Sequence, residues 1–194
     1  MKVLRIDRTG TGKLETYKIA EQYINLFGKS YEFKVNARGD NLALTELNAA
    51  RPDRPPLTVG STAPEFAATD TGSVRRTLTG YRGRLLLLEF WGTWCHPCER
   101  DAPHLVTFYK STQRNKVEFL GVSTDDSEET LRHYLTASGI KWPQIRETVD
   151  GALHRLYRAN GFPTYYVIGP TGEILETWTG GDELARLSKY RSGG

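Results

Sequence analysis

The chain is 194 residues long, 38% hydrophobic and 25% charged, the composition of an ordinary globular protein and enough for one buried domain plus a small appendage. Its net charge of +3 is spread along the sequence, so nothing points to nucleic acid as a partner. No apolar run approaches the ~20 residues of a membrane-spanning helix.

Residues 1–56 have their own texture and read as a β-rich extension that ends in a proline-rich linker. Met1 to Asp7 carries no apolar segment of signal-peptide length. Val3 to Ile6 suits a short strand. Asp7 to Lys13 starts like a calcium loop, with Asp first and Gly sixth. Thr at the third and fifth positions and Lys at the twelfth, where a bidentate Glu is needed, make it a turn instead. Tyr31–Val35 and Leu42–Thr45 alternate with period two about a polar tip and predict a β-hairpin. Arg38-Gly39-Asp40 in that tip spells an integrin-binding tripeptide, but Gly and Asp are also what turns select, and the turn reading is preferred. Arg51 to Pro56 is a proline-stiffened linker, and the domain boundary is placed at its end.

From Leu57 to the end, residues 57–194 read as an α/β domain. Pro64–Ala68 and Val74–Leu78, around Thr71-Gly72, predict a hairpin edging a sheet. Leu85-Leu86-Leu87-Leu88 is a strand buried on both faces. It runs through Glu89-Phe90-Trp91 into a Gly-containing turn and a helix that opens near Pro97. Val117–Ser123 is a second buried strand. Asp126 as N-cap with Glu129 three residues on predicts a helix with Leu131, Tyr134 and Leu135 on one face, ending near Gly139. Trp142–Ile145 should be a short extended piece, and Asp150–Tyr157 a helix with Leu153, Leu156 and Tyr157 inward. Tyr165–Ile168 and Ile174–Trp178 predict an antiparallel hairpin, and Asp182 caps a terminal helix reaching Tyr190.

The only cysteines, Cys95 and Cys98, stand three apart at the strand-to-helix corner. Two cysteines cannot build a disulfide framework, so they point to redox or metal chemistry. At this spacing on a first helical turn they can close and reopen a small disulfide. Thiolate is the attacking species, and a helix N-terminus stabilises it through unpaired N–H groups and the macrodipole. Cys95, at the very start, is expected to be the exposed nucleophile; Cys98, one turn in, the buried resolving thiol. Pro97 suits the first turn because its missing N–H had no partner there. His96 can lower the Cys95 pKa when protonated, or stand as a plain exposed polar residue.

Trp94-Cys95-His96-Pro97-Cys98 resembles the W-C-x-x-C signature of thioredoxin-fold oxidoreductases, and Pro103 matches their helix-kinking proline. Gly161-Phe162-Pro163-Thr164 resembles the loop that carries a cis-proline opposite the active site, and Gly169-Pro170-Thr171-Gly172 the hairpin turn after it. With the leader Gly60–Phe66, the corner Trp91-Gly92-Thr93-Trp94-Cys95 and the insert Gly121–Asp125, the chain is most similar to TlpA/ResA-like thiol–disulfide oxidoreductases. The resemblance runs from about Leu57 to Tyr190. It implies a thioredoxin-like α/β fold, a mixed central sheet flanked by helices, and dithiol–disulfide exchange with protein partners through a mixed disulfide on Cys95. It implies a protein thiol or disulfide as substrate, an upstream reductant, and action more as reductant than oxidant. No cofactor beyond the Cys95–Cys98 disulfide is expected, no metal, and a monomer. Glu89, six residues before Cys95, looks equivalent to the buried acid of thioredoxins, commonly Asp. It would take the proton of Cys98, unless it turns to solvent or pairs with Arg84. Phe162, Pro163 and Thr164 would flank a substrate groove walled by Trp94, with a cis Phe162–Pro163 bond, while Phe90 and Trp91 belong to the core. His104, His133 and His154 have no metal-ligand spacing and are read as surface or cap residues. Relatives face the periplasm or another extracytoplasmic space, which implies an export signal or upstream domain missing from the sequence as given; the cytoplasm stays open.

Two other functions compete. A peroxiredoxin shares the fold and the Pro-Glu-Phe leader, but its P-x-x-x-T-x-x-C pattern would need Thr where Gly92 stands. A copper- or zinc-binding module could use Cys95, Cys98 and a histidine, although one C-x-x-C is an incomplete structural zinc site.

Overall fold

The leucine run forms the centre of the larger unit. In the computed structural model, Leu85–Trp91 is a seven-residue strand with every residue buried. The structure describes residues 3–6, 15–18, 23–26, 28–35, 42–51, 57–125, 127–148, 151–159, 161–181 and 183–191. The calcium-loop-like turn, the hairpin tip, residues 52–56 of the proline-rich linker and the expected caps Asp126 and Asp182 fall outside them. The chain divides into two units, Met1–Arg54 and Pro55–Gly194.

The first unit holds strands β1 (Val3–Ile6) and β2 (Glu15–Lys18), paired antiparallel, and a three-stranded antiparallel sheet of β3 (Tyr23–Leu26), β4 (Lys29–Val35) and β5 (Leu42–Glu46). The β4–β5 hairpin is as expected; β2 and β3 are additional. Ser30 ties this sheet to the following chain: its buried hydroxyl donates to Asn25 and accepts the Arg51 N–H, each at 2.6 Å.

In the second unit β6 (Ala67–Thr69) and β7 (Arg75–Thr77) form a separate two-stranded ribbon rather than the edge of the main sheet. Asp70 shapes its turn, accepting the Gly72 and Val74 amides and Arg76 Nε. The main sheet has the order β10-β9-β8-β11-β12, with β8 (Leu85–Trp91), β9 (Val117–Ser123) and β10 (Gln144–Arg146) parallel. β11 (Thr164–Ile168) runs antiparallel to β8, and β12 (Ile174–Thr179) antiparallel to β11. Helices α1 (His96–Ser111) and α2 (Glu128–Ser138) make the two crossovers and pack on one face, on Leu85, Leu87, Trp91, Val117 and Phe119. This is what right-handed crossovers progressing in one direction require. On the other face, α3 (Ala152–Tyr157) covers Leu86, Leu88, Phe90, Leu120 and Val122.

Several local expectations shift. The N-cap of α2 is Ser127, whose hydroxyl accepts the Thr130 N–H, one residue later than the expected Asp126. Gly139 closes this helix in the left-handed conformation, φ 71°, as a C-terminal glycine should. In α3 the inward residues are Leu153, His154 and Tyr157, while Leu156 is exposed, because at 3.6 residues per turn the first three share one face and Leu156 falls outside it. The terminal segment Leu184–Tyr190 is a 3-10 helix, and its first residue is preceded by Glu183 without a side-chain cap.

Candidate active site

Cys95 is the N-cap of α1 and His96 its first residue. Its sulfur does what a serine hydroxyl does at such a position, accepting the Cys98 N–H at 3.2 Å. Cys95 and Cys98 are joined by a disulfide, with Cα atoms 5.2 Å apart. Both are buried, Cys95 at 4% exposure and Cys98 at 2%. The expected exposure of Cys95 is thus corrected: in the disulfide its sulfur turns inward over the first helical turn and joins the apolar cluster of Trp91 and Ala102. Pro97 sits in that first turn, and His96 projects into solvent with Nδ1 3.6 Å from Glu99. Pro103 lies inside α1.

The turn before the cysteines is pinned from β9. The Asp125 carboxylate, buried beyond the end of that strand, accepts the Thr93 N–H at 3.0 Å and the Thr93 hydroxyl, and also the hydroxyl of Ser123. Trp94 is 55% exposed, its ring edge-to-face with Phe162 at 5.2 Å between centroids. The Phe162–Pro163 bond is cis, and Pro163 is buried, its carbonyl accepting the Gly180 N–H. Trp94 and Phe162 therefore form an apolar wall beside the disulfide. Thr164 contributes differently from a groove-lining side chain: it is buried, and its hydroxyl bonds to the Gly161 carbonyl and to Thr179.

Below the disulfide, one row of register partners crosses all five strands: Gln144, Gly121, Glu89, Tyr165 and Trp178. Register partners point to the same face, here the face under α1. Gly121 makes room for the Gln144 side chain, since a Cβ there would stand 2.0 Å from Gln144 Oε1. Gln144 in turn accepts the Trp91 indole N–H at 3.0 Å, fixing Trp91 in the core with Phe90. Glu89 is buried, away from Arg84, which pairs with Glu118 at 2.8 Å. Burial, and next the charge of Asp101, push the Glu89 carboxyl up to about 8, against a smaller opposing effect of the Tyr165 hydrogen bond. Tyr165 Oη lies 2.9 Å from Asp101 Oδ2 and 3.4 Å from Glu89 Oε1. Burial and the two carboxylates hold the Tyr165 hydroxyl protonated far above the usual phenol range.

Asp101 and Tyr165 are functional candidates absent from the sequence expectation. Asp101 carried a legible signal, an acid three residues after Cys98 on the same helix face as Leu105. Tyr165 meets the carboxyls only through strand register, which the sequence does not display.

His104 and His133 are exposed, but His154 is buried, correcting its expected surface place. Its Nδ1 lies 2.8 Å from Glu147, whose carboxylate also accepts the Leu153 and His154 amides, and its ring meets Phe90 and Phe162. Glu147 satisfies Nδ1, whereas Nε2 is buried with no hydrogen-bond partner among the described residues. Among the described residues no group of three or more His, Cys, Asp or Glu is placed to hold a metal ion, and no helix is long and apolar enough to cross a membrane.

Comparison with known proteins agrees with this geometry. Residues 59–177 match the AhpC/TSA family. The thiol-disulfide oxidoreductase ResA of Bacillus subtilis is 30% identical over 139 residues, 72% of this chain and 77% of that protein. ResA of Geobacillus kaustophilus is 34% identical over 124 residues, 64% of this chain and 71% of that protein. Among solved structures, the thioredoxin domain of a thiol-disulfide oxidoreductase from Bacteroides vulgatus superposes with a TM-score of 0.61 at 26% identity, covering 70% of this chain and 99% of that one. With a thioredoxin-like sheet, a C-x-x-C pair capping α1 and these relatives, the chain belongs to the AhpC/TSA family and is a thiol–disulfide oxidoreductase of the ResA-like kind.

Proposed function

We propose that the protein exchanges its Cys95–Cys98 pair with protein thiols and disulfides through a mixed disulfide on Cys95, acting as a reductant. The observation that carries this is the place of the Cys95 sulfur at the α1 N-cap, where it already accepts the Cys98 N–H. A thiolate in that position keeps this hydrogen bond and gains the field of the helix terminus. Cys95 attacks a substrate disulfide and holds one half of it. Cys98 then loses its proton, attacks the Cys95 sulfur and expels the substrate as thiolate, leaving the intramolecular disulfide.

Glu89 is the base for that second step. It is buried on the sheet face that α1 covers, and as a carboxylate it can take the Cys98 proton. Trp94, Phe162 and the Pro163 backbone offer a short apolar groove for an extended peptide of the substrate, and exposed His96 sits at its rim. The reductant direction and an extracytoplasmic location rest on the kinship with TlpA/ResA-like proteins. An upstream dithiol donor must then recharge the pair.

The test is a pair of variants. Cys95→Ser abolishes reduction of insulin disulfides, and Cys98→Ser accumulates mixed disulfides with substrate. Turnover retained in either variant, or consumption of hydrogen peroxide by the parent protein at a rate matching its disulfide reduction, contradicts the reading.

A further inference from the structure

Glu89 is enclosed: it sits mid-strand on β8, beneath α1, at 4% exposure. A proton accepted there has to leave before the next cycle. We infer that it leaves through Tyr165 and Asp101 into the groove between α1 and the C-terminal 3-10 helix, away from the face where Trp94 and Phe162 receive substrate. This inference rests on the reading of Glu89 as the base for Cys98.

Three observations carry it. First, Tyr165 is the register partner of Glu89 and touches both carboxyls, 2.9 Å from Asp101 and 3.4 Å from Glu89. A phenol has one proton and lone pairs to spare, so it can donate to the nearer carboxylate while accepting from a protonated Glu89. Second, Asp101 lines a cavity of about 540 Å³ whose walls include Arg100, His104, Leu184, Ser188 and Arg191. Glu89 and Tyr165 do not line this cavity, so Asp101 is the point at which the buried pair meets it. Third, the polar groups lining the outlet are titratable or cationic, which suits exchange with solvent: Arg100 and His104 from α1, and Arg191 after the 3-10 helix. From the other packed elements the pair faces Tyr134 of α2, whose hydroxyl feels the Glu89 charge, and Trp178 of β12, whose ring lies 4.8 Å from that of Tyr165.

The Cys98 S–H bond breaks and its proton goes to Glu89. The Cys98–Cys95 S–S bond forms while the Cys95–substrate S–S bond breaks, and the substrate leaves as thiolate. Glu89 then passes its proton to Tyr165 Oη as Tyr165 gives its own to Asp101, which releases a proton to water in the groove. Tyr165 ends as it began, so it is a relay and positioning residue rather than a catalytic one. The two carboxyls hold protons as a pair, and their titration belongs to both.

The experiment compares parent, Tyr165→Phe, Asp101→Asn and Glu89→Gln, each as the full chain, reduced and mixed with insulin. Two rates are read from pH 5 to pH 9: Cys95 attack, and resolution of the mixed disulfide by Cys98. Tyr165→Phe removes only the hydroxyl, and urea unfolding of each variant controls for folding. The expected result is that Tyr165→Phe and Asp101→Asn each lower the ratio of resolution to attack tenfold or more at pH 7 and displace the pH profile of resolution. Thr107→Ala, on the exposed wall of the same cavity, leaves both rates within twofold. If Glu89→Gln slows resolution but Tyr165→Phe changes neither ratio nor profile, the exit route is wrong and Glu89 remains the base. If Glu89→Gln leaves resolution unchanged, the base assignment fails and the route with it.

Discussion

Thr93 gives both its backbone N–H and its hydroxyl to the carboxylate of Asp125. The active-site turn, two residues before the nucleophile, is thereby fastened to the chain leaving β9. Hydrogen bonds to a charged acceptor contribute about 1.5–3 kcal/mol each, and unpaired buried donors cost more than absent ones. Asp125→Ala should therefore destabilise the protein by about 2–4 kcal/mol in urea unfolding, and slow insulin reduction by loosening Cys95. Asp125→Asn, which keeps an acceptor for Thr93, should recover part of both. Equal losses in the two variants would contradict a tether made by hydrogen bonding.

Gly121 and Gln144 form a packing pair, because the glycine leaves the space that the glutamine amide fills. Gly121→Ala forces Gln144 away from the Trp91 indole and should cost about 1–3 kcal/mol, as overpacking does. Gln144→Ala empties the same space. The double variant should be less destabilised than the sum of the single ones, a coupling that a double-mutant cycle in urea measures.

Glu89 gives a stability signature with a definite sign. Burial, then the Asp101 charge, raise its pKa from 4.5 to about 8 in the folded state. Between those values the folded protein binds more protons than the unfolded one, so this group's contribution is complete below pH 4.5 and declines as pH rises to about 8. The slope from this group approaches about 1.4 kcal/mol per pH unit. Glu89→Gln removes it. The variant should gain stability relative to the parent steadily from pH 5 to pH 8 in urea titrations, and a constant difference would refute the buried-acid assignment.

Glu147 has the opposite sign. Burial raises its pKa, but hydrogen bonds from the His154 ring and from the His154 and Leu153 amides outweigh it, and the carboxyl titrates below its ordinary value of 4.5. Its stabilisation is present above the unfolded pKa and is lost as pH falls through the folded one. Glu147→Gln should thus be less stable than the parent by about 1–2 kcal/mol at pH 7, and the gap should close toward pH 3. Thermal unfolding across that range checks it.

The sequence announced the site's sulfur chemistry plainly, because C-x-x-C spacing, a capping position and a buried apolar strand are all local patterns. Leu85–Leu88, α1, the β11–β12 hairpin and the glycine end of α2 were readable for the same reason. What was not readable depends on register and tertiary contact. His154 sits in a short helix whose polar side chain is rewarded by Glu147 and two aromatic rings, none adjacent in sequence except by fold. Tyr165 reads as a core aromatic until β11 is set against β8. The β2 and β3 strands, only four residues each, carry little periodicity to detect.

The acidity of one thiol tests the whole account most directly. With the protein reduced, the alkylation rate of Cys95 is followed against pH, with Cys98→Ser separating the two sulfurs. The N-cap position predicts a Cys95 pKa well below the ~8.5 of a free cysteine, giving substantial thiolate at neutral pH. A Cys95 that stays protonated up to about 8.5 or beyond would contradict it.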